Sequence, residues 1–192
     1  ARWTEVRAMR YRVDASRSRF IAQAFAEGLL SAFGHNPRLA IRSFEGEVEF
    51  DQAAPNAASV WMKARADSLV VIDDISEKDR REIERVTREE LLEAARSPEV
   101  VFQSAIVTAH QTAENRFQVR GAGNLSLRGV TRELAIDAMA LVEGDELRAQ
   151  GGFALRLTDF NIRPVSVAGG LLKLKDEVRL SFDILAYASN LT

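Results

Sequence analysis

The stretch FQVRGAGNLSLRGVTRELAID, Phe117 to Asp137, decides the fold class. Phe117, Val119, Gly121, Gly123, Leu125 and Leu127 fall at every second position, with Gln118, Arg120, Asn124, Ser126 and Arg128 on the alternate face. Alternation over that length marks a strand with one dry and one wet side. Arg128-Gly129-Val130-Thr131 is the reversal, because Gly129 takes a positive φ at little cost. Leu134, Ile136 and Ala138 then resume the dry face against Glu133 and Asp137. The segment predicts a long antiparallel hairpin and carries no chemistry of its own.

The same period recurs on both sides of it. Upstream, Val100, Phe102, Ser104 and Ile106 alternate, and a turn is expected from His110 to Asn115. Downstream, Glu143-Gly144-Asp145 reads as a hairpin turn. Leu147, Ala149, Gly151, Phe153, Leu155 and Leu157 then share a face, and Val178, Leu180, Phe182, Ile184 and Ala186 share another after a loop over Asp159–Gly170. Nearer the start, Ser18, Phe20, Ala22 and Ala24 fall on one side. Strand-like Leu39–Ile41 and Phe44–Phe50 lead to a turn at Asp51–Ser59, and Val60, Met62, Ala64 and Ala66 alternate after it.

One segment breaks the pattern. SEKDRREIERVTREELLEAARS, beginning at Ser76, has a stripe of Ile83, Val86, Leu91, Leu92 and Ala95 on an otherwise charged surface, which is an amphipathic helix of about residues 76–96. Ser76 and Asp79 resemble a capping box, and Ser97-Pro98 stops the helix. The stripe packs on the mouth or on the outer wall of a sheet; the charged face is solvated. The chain is thus mainly β, with about eight strands in meandering order and one inserted helix. An eight-stranded antiparallel barrel removes the edges that strands of this length would expose, and it encloses a space that side chains fill or one small ligand occupies. Residues 1–10 read as a lead-in and residues 11–188 as one barrel domain.

Composition narrows the function classes. The 192 residues carry 26 Lys and Arg against 28 Asp and Glu, a net charge of −2 with no basic run, so nothing draws the chain to nucleic acid. Cysteine is absent, which excludes disulfides, thiolate nucleophiles and sulfur-bound metals. No window reaches the roughly 20 apolar residues of a membrane-spanning helix. The opening ARWTEVRAMRYRV shows no apolar signal core, and compartment is open between cytoplasm and periplasm. Homodimer formation is an open possibility.

Catalytic constellations are missing from the pattern. His35 and His110 are the two histidines, and neither belongs to a metal-ligand motif. His110 reads as a solvated turn residue. His35 is either a loop residue bonded to backbone or a contact to a ligand headgroup. Asp73 and Asp74 adjoin, so an extended chain points them apart, and they read as loop solvation. There is no Gly-x-Ser-x-Gly elbow and no phosphate loop. The strand glycines serve sharp coiling or close packing of the helix. No catalytic residue, metal or cofactor is expected.

Several motifs together resemble a known family. They are Tyr11-Arg-Val-Asp14 followed by Ser18 and Phe20, Phe44-Glu-Gly-Glu-Val-Glu-Phe-Asp51, Ser97-Pro98-Glu-Val-Val-Phe102, Gly123-Asn-Leu-Ser-Leu-Arg-Gly-Val-Thr131, Arg156-Leu-Thr-Asp-Phe-Asn-Ile162 and Lys175-Asp-Glu-Val178. In this order they resemble the YceI-like, polyisoprenoid-binding, lipocalin-like barrels across roughly residues 11 to 188. Asn161 stands where that pattern has Gly, and His35 lies in a setting unlike the family's first-strand His. The resemblance implies an eight-stranded barrel with a helical cap, a long apolar cavity, and binding of an isoprenoid or fatty-acyl-type amphiphile without catalysis. A ligand-free structural or interaction barrel is the alternative, and an enzyme acting on a hydrophobic substrate through His35 ranks last.

On that reading the dry faces supply a ligand wall, if they are not simply core. The expected lining is Phe20, Met62, Phe102, Phe117, Val119, Leu125, Leu127, Leu134, Ile136, Phe153, Leu155, Leu180 and Phe182. Small residues on the same faces, among them Ala22, Ala24, Ala64, Gly121, Gly123 and Gly151, leave room. His35, Arg156 and Arg163 are the expected headgroup contacts, with Lys173 and Lys175 nearby in sequence.

Overall fold

The computed structural model describes residues 8–27, 36–167 and 172–189. The Phe117–Asp137 segment is the hairpin its alternation predicts. Strand β9 (Arg116–Leu127) and β10 (Val130–Glu143) pair antiparallel, with Leu127 opposite Val130. Only Arg128 and Gly129 lie between them, at φ 51° and 74°. Two left-handed residues make a type I′ turn, whose twist matches that of the flanking strands. The next hairpin is equally tight: Gly144-Asp145 joins β10 to β11 (Glu146–Arg156), with Gly144 at φ 58°.

The strand before β9 runs further than expected. β8 (Glu99–Ala113) continues through His110, and the reversal is only Glu114-Asn115, with Asn115 left-handed. His110 is therefore an exposed strand residue, not a turn residue. β8 also changes parity. A bulge between Ser104 and Ile106 turns Val107 and Ala109 into the barrel and leaves Ile106 67% exposed. One unpaired residue moves every later side chain to the opposite face.

The early part of the chain makes long strands in bent halves. β1 (Met9–Val13) and β2 (Arg19–Gln23) both pair with β14 (Glu177–Ala188), the last strand. The break between them is a 3-10 turn at Ala15–Arg17, closed by the Asp14 carboxylate accepting from the Ser16 N–H and hydroxyl. Ser18, the buried polar residue at this break, accepts from the Leu185 N–H and donates to its carbonyl, so the barrel seam stays satisfied. β4 (Arg38–Ile41) and β5 (Phe44–Phe50) form the next bent strand, and β6 (Ser59–Arg65) and β7 (Leu69–Val71) the third. The ring closes in the order β1-β5-β6-β8-β9-β10-β11-β14 and back to β1, an eight-stranded antiparallel barrel. A small sheet of β3 (Ala26–Glu27), β13 (Leu172–Leu174) and β12 (Ser166–Val167) lies beside it.

β6 pairs with β8, but β7 does not, and the helix takes its place. Helix α1 (Glu77–Arg85) lies beside β7, where Glu84 accepts from the Val71 N–H at 2.9 Å. Arg80 donates to the Val71 and Asp73 carbonyls. Side chains of the helix thus bond a strand edge that would otherwise face water or another chain. Ser76 caps α1 by accepting from the Asp79 N–H, while its hydroxyl donates to the Asp79 carboxylate. Asp79 and Ser76 therefore bond side chain to side chain. Asp73 anchors β4 by accepting from the Arg38 N–H and guanidinium, which is a structural role beyond loop solvation.

The helix is shorter than its sequence suggests. α1 passes into a π-helical turn over Val86–Leu91, and Glu93 is left-handed at φ 45°. The chain leaves the helix at Glu93, so Ala95 is not part of the stripe: Ala94 is buried and Ala95 is exposed.

Candidate functional site

The barrel interior holds two cores with a cavity between them. One core fills the end near the β10–β11 turn, around Tyr11, Phe50, Phe117, Val142, Leu147 and Ala186. The other fills the end under the helix, around Leu125, Leu127, Leu157, Phe160 and Ile162, with Leu91 and Leu92 packed against it. The stripe of the helix thus faces the barrel mouth, not its outer wall. The cavity has a volume of about 200 Å³.

Its walls come from nearly every strand. Phe20, Ala22 and Ala24 enter from the β2 side, Leu39 and Phe44 from β4 and β5, and Met62, Ala64 and Leu69 from β6 and β7. Val100, Phe102, Leu125, Leu127 and Ile136 form the side of the central hairpins. Phe153, Leu155, Leu157, Leu174, Val178 and Leu180 complete the ring, and Thr87, Leu91 and Leu92 roof it. Among the described lining residues, two carry polar side-chain groups, and both groups are already engaged. The Lys63 ammonium pairs with Glu45 at 2.9 Å and Glu99 at 3.6 Å. The Thr87 hydroxyl donates to the Ile83 carbonyl at 2.7 Å. What remains facing the space is hydrocarbon and aromatic surface.

Of the expected lining, Phe20, Met62, Phe102, Leu125, Leu127, Ile136, Phe153, Leu155 and Leu180 surround this cavity. Four residues do not. Phe117 is 1% exposed and packs edge-on to Phe50 at 5.1 Å, inside the far core. Val119 and Phe182 pack against that same core, and Leu134 against the core under the helix. Alternation puts all of these residues inside the barrel, but depth along the strand decides whether they meet the cavity. The lining residues outside the expected set include Leu39 and Leu69 on short strands, Phe44 on β5, Val100 and Val178 near the starts of β8 and β14, and Thr87, Leu91 and Leu92 on the helix. The helical stripe was the available signal for the last two.

The room left by small residues is also partly taken. A Cβ at Gly123 would stand 2.8 Å from the Phe102 ring, and one at Gly151 would stand 2.8 Å from the Phe182 ring. Those glycines admit neighbouring phenylalanines, not the helix. Ala22, Ala24 and Ala64 do face the cavity.

The expected headgroup residues do not converge. His35 lies outside the described residues. Arg156 is exposed and donates to Asp176 at 3.2 Å. Asp176 also accepts from the Thr158 N–H and hydroxyl; burial pushes its carboxyl up, but these bonds prevail and hold it below the usual range. Arg163, Lys173 and Lys175 are exposed. The polar contact that does stand at the mouth was not anticipated. Arg128 donates to Glu93 at 2.7 Å and to the Asn161 carbonyl at 3.4 Å, tying the β9–β10 turn, the helix end and the 157–162 turn together. The Arg128 guanidinium holds the Glu93 carboxyl below its ordinary value.

Among the described residues, no group of three His, Asp or Glu is arranged to hold a metal ion, and no helix is long and apolar enough to cross a membrane. A closed barrel with an apolar chamber beneath a helical cap defines a lipocalin-like barrel protein. Residues 11–186 match the YceI-like domain, and the chain belongs to that family. It is 33% identical over 128 residues to a UPF0312 protein of Azotobacter vinelandii, covering 64% of this chain and 62% of that one. A UPF0312 protein of Pseudomonas aeruginosa is 29% identical over 126 residues, 62% of this chain and 60% of the relative. The matched stretches thus span less than two thirds of these relatives. The structure is similar to BcnA of Burkholderia cenocepacia, with TM-score 0.67 at 18% identity over 90% of this chain and 98% of that chain. It is similar also to a polyisoprenoid binding domain from Saccharophagus degradans implicated in plant cell wall breakdown, with TM-score 0.66 at 12% identity over 94% and 99%. At these identities the likeness to the two structures is one of fold.

Proposed function

We propose that the protein is a non-enzymatic binding protein for an amphiphile with an apolar chain, of isoprenoid or fatty-acyl type. The observation that carries this reading is the cavity between the two cores, whose two polar lining residues both have their polar groups engaged elsewhere. Such a space offers a ligand dispersion contacts and removal of methylenes from water, at about 0.8 kcal/mol per CH₂. Among the described residues its lining offers no free acid, base or nucleophile, so binding fits it better than catalysis. Membership of the YceI-like family and the likeness to a polyisoprenoid binding domain support the isoprenoid class. The headgroup then stays at the mouth, near the helix and the Arg128–Glu93 pair. The single-domain reading of residues 11–188 belongs to the same proposal.

The alternative of a filled, ligand-free barrel draws on one observation: about 200 Å³ is below the roughly 300–1,000 Å³ of common small-molecule sites. Native mass spectrometry separates the two. The expected result is a chain-bearing amphiphile retained from purification, or a fatty or prenyl alcohol taken up at one per chain with a raised Tm. No retained amphiphile, no uptake and no Tm shift across both alcohol series would favour the filled barrel.

A further inference from the structure

The cavity ends partway along the barrel, and the same level is reached on several strands. On β9 the inward residues Phe117 and Val119 belong to the far core, while Leu125 and Leu127 line the cavity. On β11 Leu147 and Ala149 belong to the core, and Phe153 and Leu155 line the cavity. On β14 the change falls between Phe182 and Leu180. At this level Phe20 meets Phe44 edge-to-face with centroids 5.0 Å apart, and lies 5.8 Å from Phe182. Phe20, Phe44 and Met62 both line the cavity and pack on the far core. A Cβ at Gly46 would collide with the Met62 sulfur, so the glycine on β5 is what lets the Met62 side chain lie over the neighbouring strand at this level.

We propose that Phe20, Phe44 and Met62 form a bulkhead across the barrel and set the length of apolar chain that the site accepts. The inference rests on the binding function proposed above and adds a depth limit to it. From Phe153 to Leu157 the wall spans four residue steps, about 10 Å along the axis of a barrel whose strands rise roughly 3.3 Å per residue and tilt about 40°. A chain that fits this depth gains burial with every methylene. A longer chain leaves its remaining carbons in water at the mouth, because Phe117, Phe50 and Tyr11 already fill the lumen beyond.

The test is competition among straight-chain alcohols from butanol to octadecanol, read by native mass spectrometry on the whole chain. In the unmodified protein, affinity should rise roughly fourfold per added methylene while the chain deepens, and then level off. Phe20→Leu and Met62→Ala shorten the bulkhead side chains without removing the wall strands, and each should move the plateau to a longer alcohol. A variant roofing residue, Leu92→Ala, should change affinity across the series and leave the plateau where it was. Affinity rising without a plateau to octadecanol would overturn the bulkhead while leaving the binding function intact. A plateau unmoved in both bulkhead variants would do the same. Failure of every alcohol to bind would remove the binding function, and the bulkhead with it.

Discussion

At the scale of single residues, glycine has opposite meanings on one face of one sheet. Gly151 sits where a Cβ would run into the Asp137 carbonyl and stand 2.8 Å from the Phe182 ring. Backbone cannot yield there as a side-chain tip can, so Gly151→Ala is expected to destabilise the fold by about 1–3 kcal/mol, the usual cost of overpacking. Gly121 is two strands away with its nearest neighbour, Val107 Cγ2, at 3.9 Å from an added Cβ. Gly121→Ala should be neutral or gain up to about 1 kcal/mol through the unfolded chain. Urea denaturation of the pair of variants checks both, and equal losses would refute the close-approach account. Asn161 makes the complementary point. It stands at φ 56° with Phe160 and Ile162 buried on either side. Asn is among the few side chains that enter the left-handed region readily, so it serves where the family pattern has glycine.

At the scale of elements, the helix cap is held by a cluster of unusual backbone positions. Glu93, Arg128 and Asn161 are all non-glycine residues with positive φ, and Arg128 donates to both of the others. Arg128→Ala or Glu93→Gln should raise amide exchange in residues 86–94 several-fold and leave the β9–β10 ladder unchanged. The double variant should be no looser than either single one, since partners in one contact are not additive; hydrogen exchange by mass spectrometry reads all three. Uniform loosening of the barrel would instead mean that the contact serves the whole fold. The same cluster explains where reading the sequence stopped. Period-two alternation made the strands of the late hairpins legible, because burial alone dictates it. Ser97-Pro98 marked a helix stop, yet the helix ends near Leu92, because Glu93 adopts a cap conformation that glycine usually supplies and bonds Arg128 from 35 residues away. The Ile106 inversion was hidden for a similar reason. A bulge is a property of two strands together, and β8 by itself keeps an unbroken pattern. The cavity was half legible: which side chains point inward follows from parity, but which depth stays open depends on the packing of Phe20, Phe44 and Phe182 across strands distant in sequence.

At the scale of the molecule, stability rests on a closed ring whose seams run through β14, and its charges there predict a response to pH. Asp183 on β14 accepts from Arg148 at 2.7 and 3.0 Å and from Gln150 at 3.0 Å, so its carboxyl lies below the ordinary 3.8. Asp176, before β14, is also held low. The unfolded chain therefore binds these protons at a higher pH than the native barrel does. Their contribution is full above the unfolded values and is lost as pH falls through about 4 and below. On the alkaline side, burial pushes the Tyr11 hydroxyl above 10.0, assisted by the charge of Asp145, and burial raises Tyr187 as well. The unfolded tyrosines ionise first, so stability falls as pH rises past about 10. Tm against pH should thus be flat between roughly pH 5 and 9 and drop at both ends. Tyr11 is 3% exposed within the far core and pairs with Val48 on β5 and Ala188 on β14. Tyr11→Phe keeps the ring in that core and removes the ionisable group, so it should flatten the alkaline limb and leave the acid limb unchanged. Asp183→Asn should do the reverse, shrinking the acid limb at the cost of a lower plateau. An alkaline limb of unchanged depth in Tyr11→Phe would assign that limb to Tyr187, the half-buried phenol on β14 whose ring lies beneath Arg17.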